Sequence, residues 1–179
     1  MPRQQPGKLN YAPAGNGSAE HLAGEMLKIS AQIDALHVPY KGGAPALTDL
    51  LGGRITYMMQ NPIEVLPHIK AGQLRALFVG SNKRLGLLPD VPTAAEAGLA
   101  GYEASVWWGV VAPVKSPKET VAKLNAEIVK ALNDPSVKDK LTDMGVVLNP
   151  STPEQFGEFL KHETDKWAKV IKTSGIQAD

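Results

Sequence analysis

The 179-residue chain contains no cysteine. This excludes disulfides, thiolate nucleophiles and cysteine-ligated metals, and leaves the compartment open, since reducing and oxidising spaces both hold cysteine-free proteins. Neither sign of charge is in excess: 19 Lys and Arg face 18 Asp and Glu, for a net charge of +1. No overall field therefore draws the chain to nucleic acid or to an acidic membrane. No window approaches the ~18 apolar residues of a membrane-spanning helix, and the opening MPRQQPGKLN lacks the apolar core of an export signal. What is there, 43% hydrophobic and 21% charged residues, matches an ordinary soluble globular protein. The length suits one domain or two small lobes.

Strand and helix signals alternate. Lys8 to Ala12 reads as a short strand, and from Ser18 the apolar positions Leu22, Met26, Ile29 and Ile33 step by four, three and four, one face of a helix. His37 to Tyr40 is extended again, and KGGAPALTDLLGG predicts a glycine-bounded helix carrying Leu47, Leu50 and Leu51. RITYMM (54–59) and LRALFV (74–79) are continuous apolar runs suited to strands buried on both faces, with a broken helix between them. The pattern favours βαβ units and a mainly parallel sheet. Three capping-box pairs, Thr93 with Glu96, Ser116 with Glu119 and Thr152 with Gln155, mark helix starts.

SVWWGVVAP (105–113) reads as a strand with Trp107 and Trp108 on opposite sides, one toward a core. Beyond it, Val121, Leu124, Ile128 and Leu132 share a helical face, and Asp134 with Pro135 opens a short helix. A last helix from Pro153 turns Phe156, Phe159, Leu160, Trp167, Val170 and Ile171 inward. The glycine- and proline-rich connection 81–105 is long enough to cross between lobes, so the boundary is placed there, giving units 1–104 and 105–179.

The glycine loops carry the chemistry. GNGSAEH (15–21) lacks the lysine that a P-loop places after its last glycine, and Glu20 stands where a dinucleotide fingerprint needs a third small residue. Ser18 is followed by Ala19 and Glu20, not by the x-Gly of a nucleophile elbow. His21 and Glu25 lie one turn apart, but the second histidine of a zinc helix is missing, which favours a partly exposed polar pair. What remains is electrostatics. A helix start offers unpaired N–H groups and about half a positive charge, and glycines let a ligand approach the backbone. Gly15, Asn16, Gly17 and Ser18 open one helix, and Tyr40, Gly42, Gly43 and Ala44 lead into another. Two such ends aimed at one crevice would hold an anion, with carboxylate the modest-sized candidate. Asn61 ends a strand-like run, at the edge where parallel sheets bind ligands. Against this, Ser18 is also a good N-cap and glycine turns join strands to helices generally, so spacing alone leaves the two readings even. Lys41 reads as a solvated loop lysine, and His37 and His68 as structural.

PGKLNYAPAGNGSAEHLAGE, VPYKGGAPALTDLLGGRI, LPHIKAGQLRAL, KRLGLLPDVPTAAEAGL and WWGVVAP, in this order, resemble the solute-binding proteins of tripartite tricarboxylate transporters, the Bug-type periplasmic receptors. The resemblance covers nearly the whole chain. It implies an α/β, periplasmic-binding-protein-like (Venus flytrap) fold with mainly parallel sheets, clamping a small carboxylate, often a dicarboxylate, between two lobes. The ligand loops would be Gly15 to Ser18 and Tyr40 to Ala44. Membrane transporter subunits are the implied partners and the periplasm the implied location. No catalytic residue, cofactor, metal or nucleic acid is implied.

Two departures stand out. The family carries a further segment before PGKL, with the signal peptide and the first half of lobe one, so the chain reads as N-terminally truncated: one full lobe plus the C-terminal part of the other. Exposed apolar surface is then expected in the C-terminal segment, with a homodimer or exchanged elements covering it. Further, Thr56 and Gln60 stand where the family usually has an acidic residue and often an aspartate, so ligand preference does not carry over. Two alternatives compete with a receptor: an enzyme on a small carboxylate using His21 and Glu25 as acid and base, and an interaction module that binds no small ligand.

Overall fold

A computed structural model of the chain describes residues 9–176. Among them the element order is β1 (Leu9–Tyr11), α1 (Ala19–Ala31), β2 (Ala35–His37), α2 (Gly43–Leu51), α3 (Pro62–Lys70), α4 (Lys118–Asn133), α5 (Pro135–Asp143) and α6 (Pro153–Ser174). The chain forms two compact units. One runs up to Val106 and resumes at Trp167; the other is Trp107–Lys166, so α6 begins in the second and ends in the first.

In the first unit β1 and β2 pair in parallel, with Leu9 opposite Ala35, Asn10 opposite Leu36 and Tyr11 opposite His37. A single parallel bridge sets Tyr57 on the other side of Tyr11, which makes β1 the central segment. The expected strand at Lys8 to Ala12 is thus β1, with Lys8 outside the described residues. The expected strand 54–59 shrinks to that one bridge, where the Asn10 carbonyl accepts from the Thr56 and Tyr57 N–H groups (3.2 and 3.3 Å) and the Asn10 side chain also holds the segment. Its Oδ1 accepts from the Thr56 N–H (2.7 Å) and hydroxyl (2.8 Å), and its Nδ2 donates to the Arg54 carbonyl (3.0 Å). The expected strand 74–79 likewise reduces to a bridge between Val79 and Thr93. Pro92, next to Thr93, accepts from Val79 but has no N–H to continue the ladder.

The core joins Met26, Leu27, Ala94, Tyr102 and Val170, and a second cluster joins Ala12, Ala46 and Ile55. Burying Leu27 stabilises the unit by about 1.5–3 kcal/mol. The buried face of α1 differs from the expected one. Met26 is buried and Ile33 packs beside it, but Ile29 is 42% exposed, whereas His21, Gly24 and Glu25 are buried. Gly24 explains the rotation. A Cβ there would lie 2.3 Å from the Tyr11 ring, so α1 meets β1 along its glycine side.

In the second unit Asp134 ends α4 and caps α5, its Oδ1 accepting from the Ser136 N–H at 2.9 Å. The capping box at Thr152 and Gln155 forms at the start of α6. The one expected at Ser116 and Glu119 does not. The N-cap of α4 is Pro117, which has no acceptor side chain, because Ser116 turns the chain one residue earlier by donating its N–H to Pro113. In the first unit the Thr93 and Glu96 box forms but closes only one turn, since Gly98 and Gly101 at positive φ redirect the chain.

The expected strand 105–113 pairs with nothing among the described residues. Its Trp107 meets Phe156 and Phe159 edge-on, with ring centroids 5.9 and 5.1 Å apart, and Gly109 lies against Phe156. A strand needs a neighbouring edge, and here the neighbour is a helix face. No apolar side chain of Trp107–Lys166 is fully buried among the described residues: Trp108 is 74% exposed, Val114 is 99% exposed, and Leu124, expected inward, is also exposed. The apolar surface expected of the C-terminal segment is therefore present. The buried Glu163 is held instead by Lys166.

Candidate functional site

Three helices of the first unit start from one edge. β2, β1 and the Tyr57 segment are parallel neighbours. The loops that leave their carboxyl ends lead into α2, α1 and α3 respectively. The positive ends of three helix dipoles are thereby gathered where an open parallel sheet receives ligands.

At α1, Gly15 and Gly17 adopt positive φ (151° and 71°), which a side chain would oppose, and nothing occupies the space a Cβ would fill. Ser18 is the N-cap, and its Oγ accepts from the His21 N–H at 3.2 Å. The Gly17 N–H donates to His21 Nδ1 at 3.1 Å. With the Ser18 N–H bonded to the Gly15 carbonyl at 3.3 Å, the loop's Gly17 and Ser18 amides and the His21 amide are satisfied internally. The amides of Ala19 and Glu20 have no acceptor among the described residues, and the Ser18 O–H remains available as a donor. Asn16 is exposed at the loop tip.

At α2 no side chain caps the helix. Its N-cap Gly42 has φ 125°, and the Gly43 and Ala44 amides are left without an internal acceptor among the described residues. Gly43 lies close to Gln60: a Cβ would sit 2.6 Å from its Nε2, so the Gln60 side chain would have to shift to admit one. Gln60 in turn donates to Glu64 Oε2 (2.7 Å) and accepts from the Asn61 N–H (3.2 Å), which braces the start of α3 beside Gly43. Sequence reasoning singled out Gln60 only as a departure from a family pattern; its position against a glycine is the signal that places it at the site. The Tyr40 hydroxyl donates to Asp49 Oδ2 at 2.5 Å, so it anchors the loop. That bond raises the tyrosine pKa, and Arg54, bonded to the same carboxylate, is the main cause of the lowered Asp49 pKa. Asn61 is the N-cap of α3, its Oδ1 accepting from the Ile63 N–H at 3.2 Å.

Below this edge lies a ring layer, buried at Tyr11 and His21 and half-buried at His37 and Tyr57, that the sequence did not reveal. Tyr11 stacks on Tyr57 (5.5 Å) and lies beside His37 (5.4 Å), and His37 stacks on His21 of α1 (4.2 Å). The Tyr11 hydroxyl donates to Glu25 Oε1 at 2.6 Å, and Lys28 pairs with the same oxygen at 2.8 Å. Burial, then the Glu25 carboxylate, push the Tyr11 pKa up. Burial also holds both histidines below the ordinary value of 6.5. The His37 Nε2 and Tyr57 hydroxyl are buried without a hydrogen-bond partner among the described residues. His21 and Glu25, expected as a partly exposed pair, are both buried, because Tyr11 supplies the hydroxyl that α1 needs to bring a carboxylate inside. An acid and base enclosed in this way do not face a substrate, which counts against the enzyme alternative.

The model of the tripartite tricarboxylate transporter family receptor matches residues 1–176. A Pseudomonas sp. (strain P51) protein, from the tcbD-tcbE intergenic region, is 43% identical over 99% of this chain and 53% of its own. Among solved structures, the R. palustris protein Rpa4515 with adipate superposes with a TM-score of 0.80 at 37% identity, over 97% of this chain and 58% of that one. The periplasmic binding protein BugD gives 0.73 at 36% identity, over 96% and 58%. MatC from Rhodopseudomonas palustris with bound malate gives 0.69 at 34% identity, over 91% and 56%. The chain spans about half the length of most of the curated relatives it matches.

Proposed function

The chain belongs to the tripartite tricarboxylate transporter receptor family, and on that premise we propose that it binds a small carboxylate, without turning it over, for delivery to membrane transporter subunits. The observation that carries the reading is the shared edge. Three helix starts leave neighbouring parallel segments at their carboxyl ends, and two of them keep first-turn amides without an acceptor among the described residues. A carboxylate supplies those acceptors and complements the helix dipoles. Gly15, Gly17, Gly42 and Gly43 keep side chains away from the approach, and Ser18 donates its hydroxyl. Asn16 and Asn61 border the same loops, and Tyr40 braces the second through Asp49. The adipate and malate of the two solved relatives make dicarboxylates the solutes to try first.

The same proposal places the protein in the periplasm, assigns residues 1–104 to the ligand-loop lobe and 105–179 to the return of the other lobe, and has a second copy cover the apolar run around Trp108. Sedimentation tests the last point: a dimer supports it and a monomer at high concentration opposes it. The binding test is a panel of adipate, malate and succinate screened by thermal shift and calorimetry on this chain. Saturable stabilisation with recovery of unchanged acid is the expected result. No stabilisation by any of them, or product formation, would overturn the reading.

A further inference from the structure

We propose that His21 is the positioning residue of the Gly15–Ser18 loop: in its neutral form, with the proton on Nε2, it accepts the Gly17 N–H and so fixes where the loop presents its remaining donors. The inference rests on the carboxylate-binding reading for its consequence, but its geometry stands alone. A backbone N–H is always a donor, so Nδ1, 3.1 Å from the Gly17 nitrogen, must be the unprotonated ring nitrogen. The same residue closes a second link at its backbone, where the His21 N–H donates to Ser18 Oγ. One residue therefore holds the loop at two points. It withdraws the Gly17 amide from the site and turns the Ser18 oxygen inward, leaving the hydroxyl proton and the Ala19 and Glu20 amides for a ligand.

The ring cannot swing away from this duty, because it is buried and stacked on His37 at 4.2 Å with Tyr11 at 6.4 Å. The charged or titratable groups facing it are Glu25 and Lys28 from α1, Tyr11 from β1 and His37 from β2. Glu25 Oε1 takes the Tyr11 hydroxyl and Lys28, and among the described residues the only hydrogen bond of the His21 ring is the one from the Gly17 N–H. Protonation of Nδ1 would convert the acceptor into a second donor facing the Gly17 N–H, and the link would break.

The test has two arms. In the free, unmutated protein, nitrogen NMR of the imidazole together with amide exchange is followed from neutral to acid pH. The proposal expects a proton on Nε2 only at neutral pH and a protected Gly17 amide. That protection should be lost in step with His21 protonation. A proton on Nδ1 at neutral pH, or Gly17 exchange indifferent to His21 protonation, would overturn it. The second arm measures adipate affinity at neutral pH in His21→Ala and His21→Gln. Loss of the anchor is expected to weaken adipate by about tenfold, the equivalent of one net hydrogen bond. His21→Gln, which keeps a side-chain acceptor, should recover part of the loss. Equal affinity in the parent and His21→Ala would overturn the positioning role. If adipate does not bind the parent at all, the carboxylate reading is what has failed, and the exchange arm alone decides whether His21 anchors the loop.

Discussion

Tyr11 and Trp108 are large aromatic residues in two segments that both read as strands, yet Tyr11 is fully buried and Trp108 is 74% exposed. The difference lies in what each segment meets. Tyr11 has a strand on one side, Tyr57 on the other, and a helix whose Gly24 admits its ring and whose Glu25 accepts its hydroxyl proton. Trp108 belongs to a run with no paired neighbour among the described residues, beside a helix face already occupied by Trp107. Apolar patterning states what a segment would bury; a neighbouring edge decides whether it does.

Truncating one leucine in each unit should separate the two most widely. Leu27→Ala should cost about 2–5 kcal/mol, since it opens a cavity in a closed core. Leu124→Ala, at an exposed position, should stay within about 1 kcal/mol of the parent. Urea unfolding monitored at each site reads both, and similar losses would show that the second unit has a core as closed as the first. A glycine pair should then give opposite signs. Gly24→Ala drives a Cβ into a Tyr11 ring that cannot move, pinned by Glu25 and its stacking partners, and should destabilise by about 1–3 kcal/mol. Gly157→Ala in α6 meets nothing within 4 Å and should stabilise by up to about 1 kcal/mol through helix propensity.

Ser18→Ala carries the contrast into the helix caps, costing about 0.5–2 kcal/mol of stability as a lost cap and weakening dicarboxylate binding as well. Thr152→Ala, which removes the corresponding cap of α6, should cost a similar amount of stability and leave binding unchanged. Paired thermal and calorimetric measurements separate the two. The gentlest probe is pH. Burial lowers the folded-state pKa of His21 and His37 from 6.5, so as pH falls through 6.5 the unfolded chain takes up protons first. Stability should therefore be level above that point. Below it, stability should decline until the depressed folded values are reached. His37→Phe should reduce the acid slope, and an unchanged slope would place the titrating group elsewhere.

Much of the candidate site was legible because glycine and capping signals are local. Gly15, Gly17, Gly42 and Gly43 mark backbone that turns or leaves room for close approach, and Ser18 and Asp134 cap the helices that follow them; Asn61, read as the end of a strand, also proves to be a cap. The strands were less legible, because a strand is a relation between segments. The Asn10 side chain shares the pairing at 54–57 with its own carbonyl, and Pro92 stops the ladder at Val79, and neither effect shows in the apolar runs themselves. The buried face of α1 was misjudged for the same reason. A polar His21 and Glu25 read as partly exposed until Tyr11, 14 residues from Glu25, supplies the buried carboxylate with a hydrogen bond.

Whether a small organic acid is received by the unoccupied amides at the starts of α1 and α2 can be read from amide chemical shifts, recorded while adipate is titrated into the isotope-labelled chain. Ala19, Glu20, Gly43 and Ala44 are expected to shift together with one saturable affinity, while residues of Trp107–Lys166 stay still. Shifts confined to that second unit, or saturable binding that leaves those four amides unmoved, would contradict a carboxylate held at the helix starts.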